Sequence, residues 1–251
     1  MTAARAAIAV HAISRGTVML QSDCIRAYTQ AEMKGNKTFI RLPRPWWPKI
    51  WHKMGLRDPV VELRKALYGH PQAGDLWHNH LKTELETLGF ATIDGWPSTY
   101  VRGAGSDDMV LIIVYVDDLL IVGKPDAIER VTTKLRQRVK MEDPEPMDKY
   151  LGCYHHMSRG KDGVLDVRFD MTGYLPAAVD IYIAETGLKV TTASSPYPPE
   201  LPPAQLQHAL ESPGRFQHKA ASLLMKLMYA ARMAVPSLCV AVQRLASNIT
   251  K

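Results

Sequence analysis

The sequence is poor in cysteine, has no closely spaced cysteine pair and has no long uninterrupted apolar segment. Only three cysteines occur among 251 residues, which argues against a zinc ribbon or a disulfide-stapled miniprotein and favours a reducing compartment. The longest apolar stretch covers residues 109–122 and is interrupted by Asp117 and Asp118. A helix that crosses a bilayer needs about 20 residues with few charges, so the sequence predicts no membrane span.

The composition that remains is that of an ordinary globular protein. Hydrophobic residues make up 46% of the chain and charged residues 22%, which excludes intrinsic disorder and collagen and suits one large domain or two small ones. The net charge of +6 is compatible with a polyanionic partner but does not by itself require one. We interpret the alanine-rich residues 1–16 as a helix with Ala6, Ala9 and Ile13 on one face, in preference to a targeting peptide.

Hydrophobic periodicity predicts an α+β fold. The predicted strands cover residues 18–21, 39–42, 110–116, 119–122, 150–156 and 164–169. The predicted helices cover residues 1–16, 75–88, 126–139, 172–185, 223–233 and 238–245. This order predicts a mixed or antiparallel sheet with helices packed on one face, followed by a helical C-terminal part. We place one domain at 1–157 and a second at 158–251, with a proline-rich linker at 194–203.

The predicted helix at 126–139 has recognisable signals at both ends. Asp126 and Glu129 form a capping-box-like pair at its start. Three cations crowd its end: Arg136, Arg138 and Lys140. We expect these cations to complement the helix dipole on a solvated face, which is favoured over a dedicated nucleic-acid patch.

A cluster of tryptophans follows the second predicted strand. Trp46, Trp47 and Trp51 lie in a segment that is interrupted by prolines. Packing of such a loop against the core is favoured over the stacking of bases on its rings.

The segment Tyr115-Val116-Asp117-Asp118 lies between two apolar, strand-like runs and predicts a hairpin with both aspartates at its turn. Adjacent carboxylates repel, and desolvating unpaired charges costs several kcal/mol each, so either solvent or a divalent cation must relieve them. An exposed Asp-Asp turn is the simpler interpretation by itself. However, Asp23 ends another predicted strand, and three aspartates at strand ends would suit two Mg²⁺ ions about 3.5–4 Å apart.

With these flanks, the tetrad resembles the catalytic hairpin of reverse transcriptases, specifically the copia-type long-terminal-repeat retrotransposon class. Residues 21–28 are similar to the Q-M-D-V-K-T-A-F segment of that class, and residues 63–77 resemble its L-x-K-S-L-Y-G-L-K-Q-A-P-R-A-W segment. Residues 227–231 match its L-M-Y-A-A sequence. The resemblance extends from about residue 6 to residue 247 and covers nearly the whole chain.

The resemblance implies a polymerase palm followed by a thumb or connection region. The implied activity is that of an RNA-directed DNA polymerase, which adds deoxynucleotides to a primer 3′-OH with two Mg²⁺ ions, for which Mn²⁺ can substitute. The implied partners are an RNA template, a DNA primer or RNA–DNA hybrid, and dNTPs. The implied location is a cytoplasmic virus-like particle or the nucleus, without secretion or membrane association.

The resemblance also implies site residues. Catalytic roles fall on Asp23, Asp117 and Asp118, and the metal ligands would be these three together with Cys24. The implied substrate-binding residues are Arg26, Ala27, Tyr28, Tyr68, Gly69, Gln72 and Tyr115. Tyr28 lies where the family has an aromatic ring that excludes the ribose 2′-hydroxyl; without the resemblance, it would be interpreted as a buried aromatic near a strand end.

The chain also departs from the family pattern. Asp75 replaces an arginine, and Glu142 stands where the family has a lysine that protonates the leaving pyrophosphate, a role for which Lys140 or Lys149 is the local substitute. The upstream fingers and the downstream RNase H region are expected to be missing, which predicts exposed apolar surface and oligomerisation. A catalytically silent remnant or domesticated nucleic-acid-binding module is therefore the alternative to an active polymerase fragment, and a two-metal nuclease is a weaker third interpretation.

Overall fold

The computed structural model describes residues 2–195, 202–203, 207 and 214–247. The chain divides into two compact units, residues 1–147 and 148–251, which are described separately below. The sequence-based domain boundary lies later, at 157, and the domain assignment stays a prediction. Of the predicted linker at 194–203, residues 196–201 lie outside the described residues.

The first unit is built on one large sheet with flanking helices. In chain order its elements are α1 (Thr2–Ile13), β1 (Val18–Asp23), β2 (Phe39–Arg41), α2 (Lys49–Lys53), β3 (Val60–Glu62), α3 (Ala73–Thr87), β4 (Ala91–Ile93), β5 (Trp96–Arg102), β6 (Val110–Tyr115), β7 (Asp118–Gly123), α4 (Pro125–Arg136) and β8 (Glu145–Pro146). Short 3₁₀ turns occupy Ala27–Gln30 and Arg44–Trp46. The α+β class predicted from the sequence is confirmed.

The main sheet has six strands in the order β4-β5-β6-β7-β1-β8. Every neighbouring pair is antiparallel, so the sheet is antiparallel and not mixed. The predicted hairpin of β6 and β7 forms, and β1 pairs along β7 from Val18 opposite Gly123 to Asp23 opposite Asp118. The sequence did not predict the strands β4, β5 and β8 of this sheet. The pattern of β5 is weak because it is largely polar at its start and contains Pro97.

Helices cover both faces of this sheet, and the prediction of helices on one face is wrong. Because side chains alternate along a strand, β6 and β7 bury one set of residues against α3 and α4 and the other set on the opposite face. The first set comprises Val110, Ile112, Val114, Leu119 and Ile121. The second comprises Leu111, Ile113, Leu120 and Val122. Helix α1 contacts β1, β6 and β7 and, since α3 and α4 occupy the first face, it packs on the second.

The buried face of α1 also differs from the prediction. Its buried residues are Ala4, Ala7 and Ile8, whereas Ile13 is exposed. The spacing of Ala6, Ala9 and Ile13 is equally helical, so periodicity alone did not distinguish the two faces of an alanine-rich helix.

The helices α3 and α4 follow their sequence signals to different degrees. In α3, which the sequence predicted at 75–88, the buried residues Trp77, Leu81 and Leu85 are spaced four apart, and Gly89 just beyond the helix has a φ of +84°. The capping box predicted for α4 is wrong, because Pro125 begins the helix after Lys124 and no side chain caps its first turn.

The strands β2 and β3 pair with each other and enclose the tryptophan-rich segment. Trp47 is buried, and its indole N–H donates a hydrogen bond to the carbonyl oxygen of Leu42 at 2.9 Å. Trp46 is 72% exposed. The prediction that the tryptophans pack the loop is therefore right for Trp47 and wrong for Trp46.

The second unit combines a small sheet with helices. Its elements are β9 (Lys149–Tyr150), β10 (Cys153–Arg159), β11 (Leu165–Asp170), α5 (Tyr174–Thr186), α6 (Gln217–Met233) and α7 (Cys239–Ala246). The strands pair in the order β11-β10-β9, and the phenol of Tyr229 donates a hydrogen bond to the carbonyl oxygen of Leu151. His155 is buried and His156 is exposed, as expected for neighbours on a strand. Within the described residues, no helix is both long and apolar enough to span a bilayer.

Candidate active site

The structure brings the three aspartates together at one end of the β1–β7 ladder. Asp23 is the last residue of β1 and lies opposite Asp118, the first residue of β7. The backbone N–H of Cys24 donates a hydrogen bond to the carbonyl oxygen of Asp117 at 2.8 Å. Asp118 pairs with Tyr115 across the hairpin, so the turn consists of Val116 and Asp117. The prediction that both aspartates occupy the turn is therefore corrected for Asp118.

This hairpin turn is held by a buried tryptophan. Val116 has a φ of +59°, a conformation that is unfavourable for a β-branched residue. The indole N–H of Trp77 in α3 donates a hydrogen bond to the carbonyl oxygen of Val116 at 2.6 Å. No role in this turn was predicted for Trp77 from the sequence, although a buried indole N–H requires a hydrogen-bond partner.

Burial and neighbouring negative charge raise the pKa values of Asp23 and Asp118. The pKa of Asp118 lies above its usual value, first because of burial and then because of the negative charges of Asp117 and Asp23. The pKa of Asp23 is raised by burial, by Asp117 and by Glu142. No cation contributes to either shift. The site therefore holds negative charge that its own neighbours do not neutralise, and a bound cation would relieve the repulsion.

The donor chemistry of this site fits Mg²⁺, which prefers carboxylate oxygens. In the described part of the chain, however, no group of three or more His, Cys, Asp or Glu side chains is arranged to hold a metal ion. Cys24 is fully buried, and burial together with the three aspartates raises the pKa of its thiol to about 12. Thiolate is the ligand form of cysteine, and the assignment of Cys24 as a metal ligand stays a prediction.

Two tyrosines lie beside the carboxylates. The rings of Tyr28 and Tyr68 are 4.5 Å apart between centroids and tilted by 47°. The pKa of the Tyr68 hydroxyl is raised by loss of solvent around it and then by Asp117, Tyr28 and Asp23. Both tyrosines therefore belong to the surroundings of the carboxylates.

The remaining predicted substrate-binding residues differ in their exposure. Tyr115 and Arg26 are exposed, and Gly69 has a φ of +91° that favours glycine. Gln72 is exposed and precedes the first residue of α3. Ala27 is fully buried in the core, which leaves only its backbone to contact a substrate.

A basic cavity of about 550 Å³ lies next to these residues. It is lined by Ile25, Arg26, Thr29, Gln30, Lys65, His80, Arg138 and Lys140. Lys65 lies 3.6 Å from Glu32, and Arg138 lies 2.8 Å from Glu84. Within the described residues, Arg26 and Lys140 have no carboxylate partner, so their charge is available to an anion. Arg136 lies in the last turn of α4, as expected of a cation that complements the helix dipole, whereas Arg138 and Lys140 follow the end of the helix.

The side chain of Gln30 makes hydrogen bonds to two segments that line this cavity. Its amide nitrogen donates to the carbonyl oxygens of Ile25 at 2.9 Å and Lys140 at 2.8 Å, and its amide oxygen accepts from the backbone N–H of Lys140 at 2.7 Å. The two bonds to Lys140 join segments that are 110 residues apart in sequence. Sequence reasoning missed Gln30, because its partners become neighbours only when the chain folds.

A family model described as reverse transcriptase (RNA-dependent DNA polymerase) matches residues 4–169. The chain belongs to this family. Within the reverse transcriptases it belongs to the copia type, as the sequence motifs predicted.

Named relatives agree with this assignment. The chain is 37% identical over 112 residues to the transposon Ty5-1 protein YCL074W of Saccharomyces cerevisiae, which covers 44% of this chain and 36% of that protein. It is 38% identical over 94 residues to a retrovirus-related Pol polyprotein from transposon RE1 of Arabidopsis thaliana, covering 37% of this chain and 6% of the polyprotein. A match to the transposon Ty1-BR Gag-Pol polyprotein of S. cerevisiae covers 74% of this chain at 24% identity and 10% of that polyprotein. The chain thus spans only a minor part of each of these relatives.

Proposed function

We propose that this chain is the RNA-directed DNA polymerase part of a retrotransposon polyprotein and that it adds deoxynucleotides to a primer 3′-OH on an RNA template. The observation that carries the proposal is the meeting of Asp23, Asp117 and Asp118 at one end of the β1–β7 ladder. Membership of the reverse transcriptase family supports the same reaction.

Asp23, Asp117 and Asp118 would hold the two Mg²⁺ ions. When bound, these ions supply an activated 3′-hydroxyl and neutralise charge on the phosphates. The protein contributes by holding the carboxylates in position, since Trp77 fixes the turn before Asp117 and the β1–β7 pairing fixes Asp23 opposite Asp118. Preorganisation of this kind limits the rearrangement that the site needs during the reaction.

Other residues would bind and orient the substrates. Tyr28, packed against Tyr68, would lie under the sugar and exclude a 2′-hydroxyl. The remaining contacts to the incoming nucleotide and template would come from Arg26, the backbone of Ala27, Tyr68, Gly69, Gln72 and Tyr115. Because Glu142 cannot donate a proton as a lysine does, we assign the protonation of the leaving pyrophosphate to Lys140, which has no carboxylate partner in the described part of the chain and lines the basic cavity.

In this proposal the chain works with other regions of a Gag-Pol type polyprotein, the arrangement that the names of its relatives describe. Its setting would be a virus-like particle in the cytoplasm, or the nucleus. Its partners would be an RNA template, a DNA primer or RNA–DNA hybrid, and dNTPs.

A catalytically silent nucleic-acid-binding module is the second candidate. The basic cavity would serve such a module as well as a polymerase. Asp75 and Glu142, which replace cations of the family pattern, favour it.

Primer extension on an RNA template with Mg²⁺ tests the proposal. The unmodified chain should extend a labelled DNA primer, and Asp117→Asn should abolish extension. Asp94→Asn is the matched control, because Asp94 is an exposed aspartate of the β4–β5 turn and should leave extension unchanged. Template binding without extension by the unmodified chain would overturn the polymerase and support the silent module.

A further inference from the structure

The segment that begins with β2 and leads toward β3 combines high positive charge with exposed aromatic surface. We call residues 39–57 the tryptophan loop. Its charged residues are all cations: Arg41, Arg44, Lys49, Lys53 and Arg57. No aspartate or glutamate occurs until Asp58. A stretch of this length with five cations and no acid is much more basic than the chain as a whole, whose net charge is +6.

Most of this charge is uncompensated. Arg41 forms an ion pair with Asp58 at 2.6 Å. The other four cations of the loop have no carboxylate within ion-pair distance in the described part of the chain. Exposed cations without local partners raise the local concentration of polyanions and speed their association.

The loop keeps one tryptophan buried and presents another to solvent. Trp47 is buried, donates its indole N–H to the carbonyl oxygen of Leu42, and packs edge-on against Trp51 with 6.2 Å between ring centroids. The guanidinium of Arg44 lies 5.5 Å from the centre of the Trp47 ring. These contacts fix the loop while the adjacent Trp46 remains 72% exposed.

We propose that the tryptophan loop binds single-stranded nucleic acid, with a base stacked on the ring of Trp46 and neighbouring phosphates contacted by the loop cations. Single-stranded nucleic acids are bound by just this combination of an exposed aromatic ring and a cationic path along the backbone. The loop contains no carboxylate that would repel the strand.

A single strand fits the loop better than the other polyanions. In a duplex the base faces are stacked on one another, so Trp46 would have no free base to receive. An anionic membrane would attract the same cations, and exposed apolar side chains such as Ile50 and Met54 could insert between its lipids. Binding to vesicles is therefore one outcome of the test. The inference goes beyond the proposed polymerase function, because binding at this loop needs neither the aspartates nor a metal ion.

The test measures binding of the full chain to a fluorescent 12-nucleotide RNA by anisotropy in EDTA buffer. Trp46→Ala should weaken binding at least about fivefold, the lower end of the effect of removing one stacked base, and Trp46→Phe should restore most of the affinity. Trp96→Ala is the matched control, since Trp96 is an exposed tryptophan outside the loop, and it should change affinity little. The bound RNA should quench tryptophan fluorescence less in Trp46→Phe than in the unmodified chain.

A second pair of variants tests the cations. The double variant Lys49→Gln/Lys53→Gln should make the dependence of log affinity on log salt shallower by about 0.7 for each phosphate that the variant no longer neutralises. Lys134→Gln, which removes an exposed cation of α4, should leave the slope unchanged. A duplex RNA of the same sequence should show little effect of Trp46→Ala.

Three results would overturn the inference. They are equal RNA affinity of Trp46→Ala and Trp96→Ala, an equal loss for single-stranded and duplex RNA, and a Trp46-dependent affinity for anionic phospholipid vesicles without any for RNA. Thermal unfolding of each variant checks that it folds, and the exposure of Trp46 predicts no change. Failure of primer extension with intact Trp46-dependent binding would reject the proposed polymerase alone, whereas extension without such binding would reject this inference alone.

Discussion

The turn residue Val116 provides a direct test of how the hairpin positions its aspartates. Its φ of +59° costs an ordinary L-residue about 1–2 kcal/mol, and a two-residue hairpin loop with positive φ at its first position favours glycine. Replacement by glycine forfeits about 0.5–1 kcal/mol of backbone entropy. Because Val116 is 41% exposed, little packing is lost. The Val116→Gly variant should therefore be more stable by about 0.5–1 kcal/mol, or about 1–4 °C in Tm.

The same change should reduce activity. Glycine allows the turn more conformations, so Asp117 would be held less firmly and primer extension should slow. Trp77→Phe should also slow extension, since it removes the hydrogen bond to Val116, but it should lower stability by about 2 kcal/mol through the missing bond and a cavity at a buried site. If one variant is more stable and the other less stable, but both slow primer extension, the slower extension is caused by the position of Asp117 and not by a change in stability.

Thermal and urea unfolding in EDTA buffer measure the stability of each variant. Val164→Gly is the control, because Val164 is also exposed and lies outside the positive-φ residues of the chain; it should lose about 0.5–1 kcal/mol. If Val116→Gly were destabilised like Val164→Gly, the conformation of Val116 would carry no strain and the reasoning would be refuted.

Three further predictions concern the carboxylates, Cys24 and Gln30. Asp118→Asn should raise the unfolding free energy at pH 7 without Mg²⁺ by about 0.2–1 kcal/mol, because it removes a like charge opposite Asp23. Because the pKa values of Asp23 and Asp118 are both raised in the folded state, the unmodified chain should lose stability as the pH rises from 3.8 through those values. A variant that lost as much unfolding free energy as the unmodified chain over this pH range, measured by urea titration, would contradict this. Cys24, with a thiol pKa of about 12, should react with a thiol reagent only after unfolding, as peptide mass mapping would reveal. Gln30→Met should lower the unfolding free energy by about 1–3 kcal/mol, because it removes three hydrogen bonds, and an unchanged urea midpoint would argue against that role.

Local sequence patterns predicted the parts of the fold that depend on neighbours in the chain. The β6–β7 hairpin follows from two apolar runs around a two-residue break. Helix α3 follows from the spacing of its buried residues and from Gly89. The family was recognisable for the same reason, since its motifs are short segments whose residues are consecutive. Neither the alanine-rich α1 nor the polar β5 has a pattern of that strength, and there the sequence predicted the wrong face or no strand.

By itself, then, the sequence determined the elements with strong periodicity, the family and the identity of the three aspartates as candidates. Only the tertiary structure decided that Asp23 faces Asp118, that Trp77 holds the turn at Val116, and that Gln30 joins two segments that line the basic cavity. The hydrogen bonds of Trp77 and Gln30 join residues that are 39 and 110 positions apart. Partners at such separations are selected by strand register and by the need of buried polar groups for hydrogen bonds. Neither can be predicted from the spacing of residues along the chain.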